Sequence, residues 1–350
     1  MVDSLRAVAR FFQEKVGWNR IGVALSLTLI AIAVVVLVNI LRGIKVDEVV
    51  AAVRSTQWSD FLGAGLFVAA GYFTLTFYDL FALRTLGRRE IPYRIAALSA
   101  FTSYSVGHNI GFSVFSGGAV RYRIYSASGL TAVDVAKICF LAGLTFWLGN
   151  AAMLGLGVTY APSAATAIDQ LPPWINRIIA LVILAVLASY IGWAWAGKRL
   201  LGRGEWTVTL PSGPFTLLQM GIGILDLACC ALAMYMLLPS EPNIGFVPIA
   251  VIFVCATMLG FASHAPGGLG VFDAAMLIAL WQFDKEDVVA GLLLFRVLYY
   301  ITPFVISLVI LGTRELIISM RAGAPLPKPQ PVDTTAPLKT EVVGDKSDVH

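Results

Sequence analysis

The sequence predicts an all-α polytopic integral membrane protein of about eight membrane-crossing helices, and three observations carry that expectation. Hydrophobic residues make up 58% of the 350 and charged residues only 13%, about half the charge of an ordinary soluble domain. Apolar runs recur that are long enough to cross roughly 30 Å of hydrocarbon at about 1.5 Å per residue. Lysine and arginine cluster in a few of the intervening loops and are nearly absent from others, the asymmetry that orients membrane helices rather than one that binds nucleic acid.

Residues 1–20 form an N-terminal cytoplasmic segment. Leu5, Val8, Ala9, Phe12 and Val16 recur there at helical spacing while Arg6, Arg10 and Lys15 face elsewhere, a pattern that suits either an interfacial helix or a short solvated one. A helical transmembrane domain follows over 21–313. Its first span, 21–41, is too long for a signal-peptide core and lacks a clear small-residue cleavage site. The next apolar runs are 60–83, 132–160, 173–197, 214–238 and 288–312. Thr131 with Asp134, and Asp284 with Asp287, have capping-box spacing; Pro173 suits a first helical turn, and Ser212 precedes Pro214 at another start. Residues 314–350 are rich in Pro and polar residues and read as a disordered cytoplasmic tail.

Orientation follows from the positive charges. Arg6, Arg10, Lys15 and Arg20 precede the first span, Arg84, Arg88, Arg89 and Arg94 follow the second, Lys198, Arg199 and Arg203 follow the fourth, and Arg314 and Arg321 follow the last. All four regions read as cytoplasmic, which places both termini inside. The connections 161–174 and 239–246 carry no Lys or Arg and read as external.

Two glycine-broken, polar-spiked segments interrupt this pattern. The first is Gly107-His108-Asn109-Ile110-Gly111, running on to Ser116-Gly117-Gly118-Ala119-Val120-Arg121-Tyr122-Arg123; the second runs from Ser263-His264 through Pro266-Gly267-Gly268-Leu269-Gly270 to Asp273. Broken helices at membrane depth are tolerated where they face protein or water, which is where transported substrates bind. Chain 95–116 leaves one positive loop and arrives at another containing Arg121 and Arg123, so it crosses an even number of times. A hairpin with arms of about ten residues, turning near Gly107 to Gly111, fits the distance to the bilayer midplane. The second break enters from outside by the same logic, and its longer arms either cross or turn back part-way. The two halves then share the order span, broken hairpin, span, the outline of an inverted-topology repeat.

Charge inside the spans marks candidate function, because a buried charge costs several kcal/mol unless paired or watered. Asp79, Asp226 and Arg296 sit within helices, while His108, His264 and Asp273 flank the breaks. Asp79 is close enough to a helix end to pair with Arg84 or Arg88, and both histidines suit helix terminators as well as proton carriers. Asp226 and Arg296 lie far from helix ends and are expected to line an internal cavity, Arg296 holding an anionic group with Asp226 or Asp273 balancing it. Trp147, Trp193, Trp195 and the Tyr299-Tyr300 pair fit interfacial or packing roles. Cys139, Cys229, Cys230 and Cys255 lie in apolar runs without the spacing of a metal site. No P-loop, dinucleotide fingerprint, HExxH or nucleophile elbow is present, so no cofactor is expected.

Several runs together resemble a known family. Asn109-Ile110-Gly111-Phe112-Ser113, Ser116 through Ser126, Leu144-Thr145-Phe146-Trp147-Leu148-Gly149 and His264 through Phe272 are similar to the membrane region of the lysylphosphatidylglycerol synthase and flippase family, the bacterial multiple peptide resistance factors. The resemblance covers nearly everything from the first span to Gly312. It implies a bacterial inner-membrane protein whose helical module moves an aminoacylated phospholipid between leaflets, with Asp79, Arg121 and Asp273 handling the headgroup. Full family proteins add further spans and a cytoplasmic aminoacyltransferase domain where this sequence has a short tail, so lipid synthesis by this chain alone is not expected.

The expected function is thus a phospholipid flippase or lipid-binding transporter. Arg121 and Arg296 would hold phosphate, Asp79, Asp226 and Asp273 would balance a cationic headgroup or carry protons, and His108, Asn109, Gly117, Gly118, His264, Gly267 and Gly268 would shape the site. The rival is an accessory subunit that presents lipid to a separate lipid-modifying transferase. A small-solute carrier would need a cavity lined by ion ligands rather than one opening sideways to lipid. Membrane phospholipids are the expected partners, with a transferase and a second copy of the chain as further candidates.

Overall fold

The computed structural model describes residues 56–322, apart from 198 and 205, together with a few single positions before them. The segment 1–20, the span at 21–41 and the tail beyond 322 lie outside the described residues. Among the described residues, five helices are long and apolar enough to cross a membrane. They are α1 (Trp58–Thr85), α4 (Ala132–Tyr160), α6 (Pro173–Trp195), α7 (Gly213–Met236) and the 34-residue run Lys285–Ile318. That run comprises α10 (Lys285–Phe295), a π turn (Arg296–Ile301) and the start of α11 (Thr302–Ala322). All five apolar runs expected after residue 56 are therefore present.

Two pairs of shorter helices fill the remaining length. α2 (Tyr93–Ile110) and α3 (Ser113–Ser126) are separated by Gly111 and Phe112, and α8 (Phe246–Ala262) and α9 (Val271–Ala279) by a stretch containing the 3₁₀ turn Pro266–Gly268. α5 (Pro162–Asp169) packs at the end of the molecule opposite the Arg84–Arg89 region, beneath α8 and α9. The connection after α6 forms a two-stranded antiparallel hairpin, β1 (Leu200–Arg203) with β2 (Trp206–Thr209), which the apolar pattern of the sequence does not announce.

Small residues set the helix packing, as expected where lipid tails supply no hydrophobic drive between helices. α1 and α7 run antiparallel: Gly63 meets Met236, Gly71 meets Cys229, Cys230 and Asp226, and Phe81 meets Phe215. α4 and α7 run parallel, joined by the hydrogen bond from Gln219 Nε2 to Thr145 Oγ1 (2.8 Å). One turn further along, Gly149 and Gly223 bring the two backbones so close that a Cβ on Gly149 would lie 2.6 Å from the Gly223 Cα. The main core lies where these helices enclose α8 and the π turn, with Tyr78, Met234, Ile249, Met276 and Phe295 wholly buried.

Helix boundaries follow local chemistry in some places and not in others. Thr131 and Asp134 form the expected capping box, with Asp134 N donating to Thr131 Oγ1 (3.2 Å) and Thr131 N to Asp134 Oδ2 (3.0 Å), worth about 1 kcal/mol. Asp134 also accepts from Arg88 Nη2 at 3.0 Å, and this hydrogen bond and charge raise the Arg88 guanidinium above its ordinary range. Asp284 caps α10 by position, but its side chain makes no cap hydrogen bond, so the second expected box is not formed.

Three expectations need correction. Arg121 and Arg123 do not lie in a loop: α3 runs on to Ser126 and both arginines are engaged by carboxylates on other helices. The segment expected as a disordered tail from 314 begins as helix, since α11 reaches Ala322 and Glu315 is drawn into the interior by Arg123. The first break falls at Gly111 and Phe112, and its arms are 18 and 14 residues rather than about ten. Gly107 stays helical, and its missing side chain instead admits the backbone of Ser113.

Gly149→Leu is expected to lower the thermal midpoint of the detergent-solubilised protein, because overpacking a closed helix contact costs about 1–3 kcal/mol. Gly221→Leu, whose Cβ meets nothing within 4 Å, is the control. Equal midpoints for the two variants would show that α4 and α7 do not pack this way.

Candidate functional site

The two glycine-broken segments touch. At the first, Gly111 (φ 80°) and Phe112 (φ 44°) both adopt positive φ, a conformation that a phenylalanine holds only when its surroundings fix it. The Gly111 carbonyl accepts from Ser116 Oγ (3.0 Å), so the broken turn is satisfied internally. A Cβ on Gly111 would lie 2.8 Å from the carbonyl oxygen of His264, and the Phe112 and His264 rings sit 5.3 Å apart. The helices on each side fold back on each other: Gly117 packs on the Ser103 carbonyl, while Gly260 packs on Gly268 and Phe272.

Beside this junction lies a cavity of about 160 Å³, room for several water molecules. Aromatic rings of Tyr104, Phe146, Phe253, Phe261, Tyr299 and Tyr300 form much of its wall, and Asp226, His108 and His264 supply its carboxylate and imidazole groups. Val114 and Phe115, in the first turn of α3, also line it and are 64% and 78% exposed. The same two residues line a second, apolar groove of about 780 Å³ between α3 and α4, walled by Gly118, Tyr122, Cys139, Phe140, Trp147 and Trp206.

Of the twelve residues expected at the site, five line the cavity: His108, Asp226, His264, Gly267 and Gly268. Arg296 and Asp273 stand directly behind Gly267. Arg296 Nη2 donates to both Asp273 oxygens (2.7 and 2.6 Å), and Nη1 reaches the Gly267 carbonyl at 3.4 Å. A side chain on Gly267, itself at φ 60°, would meet Arg296 and Tyr300. Asp273 also accepts from the Gly270 N–H at 3.0 Å. Gly118 belongs to the apolar groove, whereas Gly117 serves the contact between α2 and α3.

Asp79 and Arg121 lie apart from the cavity, behind Tyr104. Asp79 pairs with neither Arg84 nor Arg88: Arg121 Nε and Nη2 grip it at 3.0 and 2.9 Å, Tyr125 Oη donates at 2.9 Å, and the carboxylate is wholly buried. The Tyr104 ring faces the guanidinium at 4.7 Å. A second arginine of α3, Arg123, makes a two-pronged pair with Glu315 (2.9 and 2.6 Å). α3 is thereby pinned to α1 on one side and α11 on the other.

Asn109 holds the π turn rather than the cavity. Its Nδ2 donates to the Ser105 carbonyl (2.8 Å) and to the Tyr300 carbonyl (3.1 Å). Pro303 has no N–H to offer the Tyr299 carbonyl one turn earlier, and the Tyr72 hydroxyl supplies a donor to that carbonyl at 3.0 Å. A π turn satisfied by side chains from two neighbouring helices is how an interrupted helix persists away from water.

Sequence reasoning did not single out Tyr72, Tyr78, Thr74, Tyr104 or Glu315. It also read Tyr299 and Tyr300 as packing or interfacial, whereas both line the cavity. Their spacing from Arg296, three and four residues along a helix, was the available signal. Trp147, Trp193 and Trp195, expected in interfacial or packing roles, are about half exposed, and Trp147 also walls the apolar groove.

This arrangement defines a multi-pass helical membrane protein with two broken helix pairs meeting over an internal cavity. No family model matches the chain. It is 31% identical over 284 residues to the inner membrane protein YbhN of Escherichia coli, a match covering 79% of this chain and 86% of YbhN. It is 28% identical over 274 residues to the protein slr0712 of Synechocystis sp., covering 77% and 84%. A phosphatidylglycerol lysyltransferase of Staphylococcus haemolyticus is 25% identical over 266 residues, which are 70% of this chain and 28% of that enzyme. The chain belongs to the family of YbhN and of the membrane module of the phosphatidylglycerol lysyltransferases.

Removing one partner of a buried ion pair leaves an uncompensated charge and costs about 3–5 kcal/mol. Arg121→Ala is therefore expected to yield little monodisperse protein, and Asp79→Asn with Arg121→Gln together to recover more than Arg121→Ala alone. Size-exclusion profiles and thermal midpoints check both; a normal Arg121→Ala protein would show that the pair does not hold α3 in place.

Proposed function

We propose that this protein moves phospholipid between the leaflets of a bacterial inner membrane, the lipid entering sideways between α3 and α4. One observation carries the reading: the internal cavity and the apolar groove share Val114 and Phe115. A polar headgroup can thus move inward past these side chains while its acyl chains stay in the groove, an arrangement that a carrier of small solutes does not need.

Arg296 is the headgroup contact in this reading. Its guanidinium meets the cavity wall at Gly267, and its partner Asp273 is 28% exposed and retains the Gly270 N–H as an alternative bond. A phosphate can take the place of the Asp273 carboxylate on Arg296 Nη2 as a charge-assisted acceptor. Arg121 stays a structural strut, because Asp79 and Tyr125 enclose it.

The topology fits the same reading. Positive charges put the Arg84–Arg89 end in the cytoplasm, with both termini on that side. The order span, broken pair, span occurs twice, and α1 runs antiparallel to α7, as inverted repeats require. In this reading the two broken pairs are re-entrant hairpins from opposite faces. YbhN is named an inner membrane protein, which supports the location, and the name of the lysyltransferases states phosphatidylglycerol as their substrate, which supports a lipid cargo. The match to a lysyltransferase also favours the rival, in which the chain presents lipid to a separate transferase.

Reconstitution in liposomes with fluorescent phosphatidylglycerol and an outer-leaflet quencher tests the proposal. Wild type is expected to speed the loss of inner-leaflet fluorescence over empty liposomes. Arg296→Ala should slow it about tenfold or more, since a hydrogen bond to a charged group contributes about 1.5–3 kcal/mol. Gly118→Trp, which fills the groove, should slow it too. Lipid that co-purifies without any translocation would favour the presenting subunit.

A further inference from the structure

Among the described residues, the interior pairs its arginines with carboxylates and leaves one carboxylate over. Asp79 holds Arg121, Asp273 holds Arg296 and Glu315 holds Arg123. Asp226, only 4% exposed on the cavity wall, receives neutral donors: Tyr78 Oη at 3.0 Å and Thr74 Oγ1 at 3.4 Å. Among the described residues it has no Lys or Arg within ion-pair distance.

The groups around it do not offset its charge. From α1, Tyr72, Thr74 and Tyr78 face it; from its own helix, Cys229 and Cys230 adjoin it. α2 contributes Tyr104 and His108, the π turn Tyr299 and Tyr300, and the second break His264. α8 brings the uncharged Thr257. The guanidiniums behind two of these rings are committed elsewhere, Arg121 at Tyr104 to Asp79 and Arg296 at Tyr300 to Asp273. Tyrosine and cysteine are neutral donors at ordinary pH and supply no counter-charge.

His108 is a second group left open on the same wall. Its ring stacks on Tyr299 with centroids 6.0 Å apart, and its buried Nδ1 has no hydrogen-bond partner. A carboxylate without a counter-charge and an imidazole with an open nitrogen thus face one small cavity, and an ionisable group left without a charge partner at membrane depth is a mark of function.

We propose that Asp226 is the proton carrier of the translocation cycle, so that lipid movement is coupled to proton movement; this rests on the transport reading above. In the step itself, a hydronium reaching the cavity from one side gives its proton to a carboxylate oxygen. One O–H bond forms on Asp226 as one breaks on the hydronium, leaving water. When the cavity faces the other side, that O–H bond breaks and a water there takes the proton. The neutral form suits the closed cavity, because an unpaired charge in a dry interior costs several kcal/mol. The ionised form belongs to the watered one. His108 stands at the same wall as a further acceptor along the route.

The test uses the reconstituted full chain with a pH difference of about one unit imposed in either orientation and the membrane potential clamped. Translocation of fluorescent phosphatidylglycerol by wild type is expected to differ between the two orientations by up to about tenfold, the ratio of proton activities. Asp226→Asn is expected to bring that ratio to one, and Asp226→Glu to keep its direction. Wild-type translocation that is equal in both orientations would overturn the coupling and leave the transport reading standing; no wild-type translocation at all would remove both. Infrared spectra add a readout that needs no transport. A protonated-carboxyl band present in wild type, lost in Asp226→Asn and shifted in Asp226→Glu supports the assignment. A band unchanged by both substitutions overturns it.

Discussion

The close approach of Gly111 to the His264 carbonyl decides where the two broken helix pairs meet, and the cavity exists beside that contact. Backbone groups at a break have no water to turn to inside a bilayer, so each must find a partner in the protein. Ser116 serves the Gly111 carbonyl, and Tyr72 and Asn109 serve the carbonyls of the π turn. With those partners in place the irregular backbone costs little, and the space they enclose stays open and polar at one wall.

The charged groups divide along the same line. Pairs away from the cavity are closed and geometric: Asp79 with Arg121, and Glu315 with Arg123, tie α3 into the bundle. The pair at the cavity edge, Asp273 with Arg296, is partly exposed, and Asp226 has no cationic partner among the described residues. The closed pairs thus sit away from the site, while Asp226 lies on its wall and the more open Asp273–Arg296 pair directly behind it.

Much of the fold was legible because length and apolarity alone specify a membrane span. Four of the five described spans sit within two residues of their expected limits, the last runs past its expected end, and both breaks fall near the glycines that announced them. What misled was treating arginine as a topological label. Arg121 and Arg123 look like loop charges until their carboxylates appear, 42 and 192 positions away in sequence. Counting charges along one dimension cannot distinguish a guanidinium held at the membrane surface from one neutralised by a distant helix. The site was half legible for the same reason. Asp226, Arg296 and Asp273 stood out as charges in apolar sequence, and the pairing of Arg296 with Asp273 was among the expected arrangements. The tyrosines carried no such mark, since an aromatic residue in a membrane helix is ordinary.

The π turn has a consequence for the phase of the helix beyond it. A single π turn accommodates about one residue more than the α-helix it interrupts, which rotates everything after it by about 100°. The faces of α10 and α11 are thus offset by nearly a third of a turn within one continuous span. That offset lets α10 pack toward α7 while α11 presents Phe304 and Leu311 to α2 and brings Glu315 within reach of Arg123. One inserted residue therefore allows a single rod to serve two differently oriented surfaces, and the chain meets two packing demands without spending a loop to change direction.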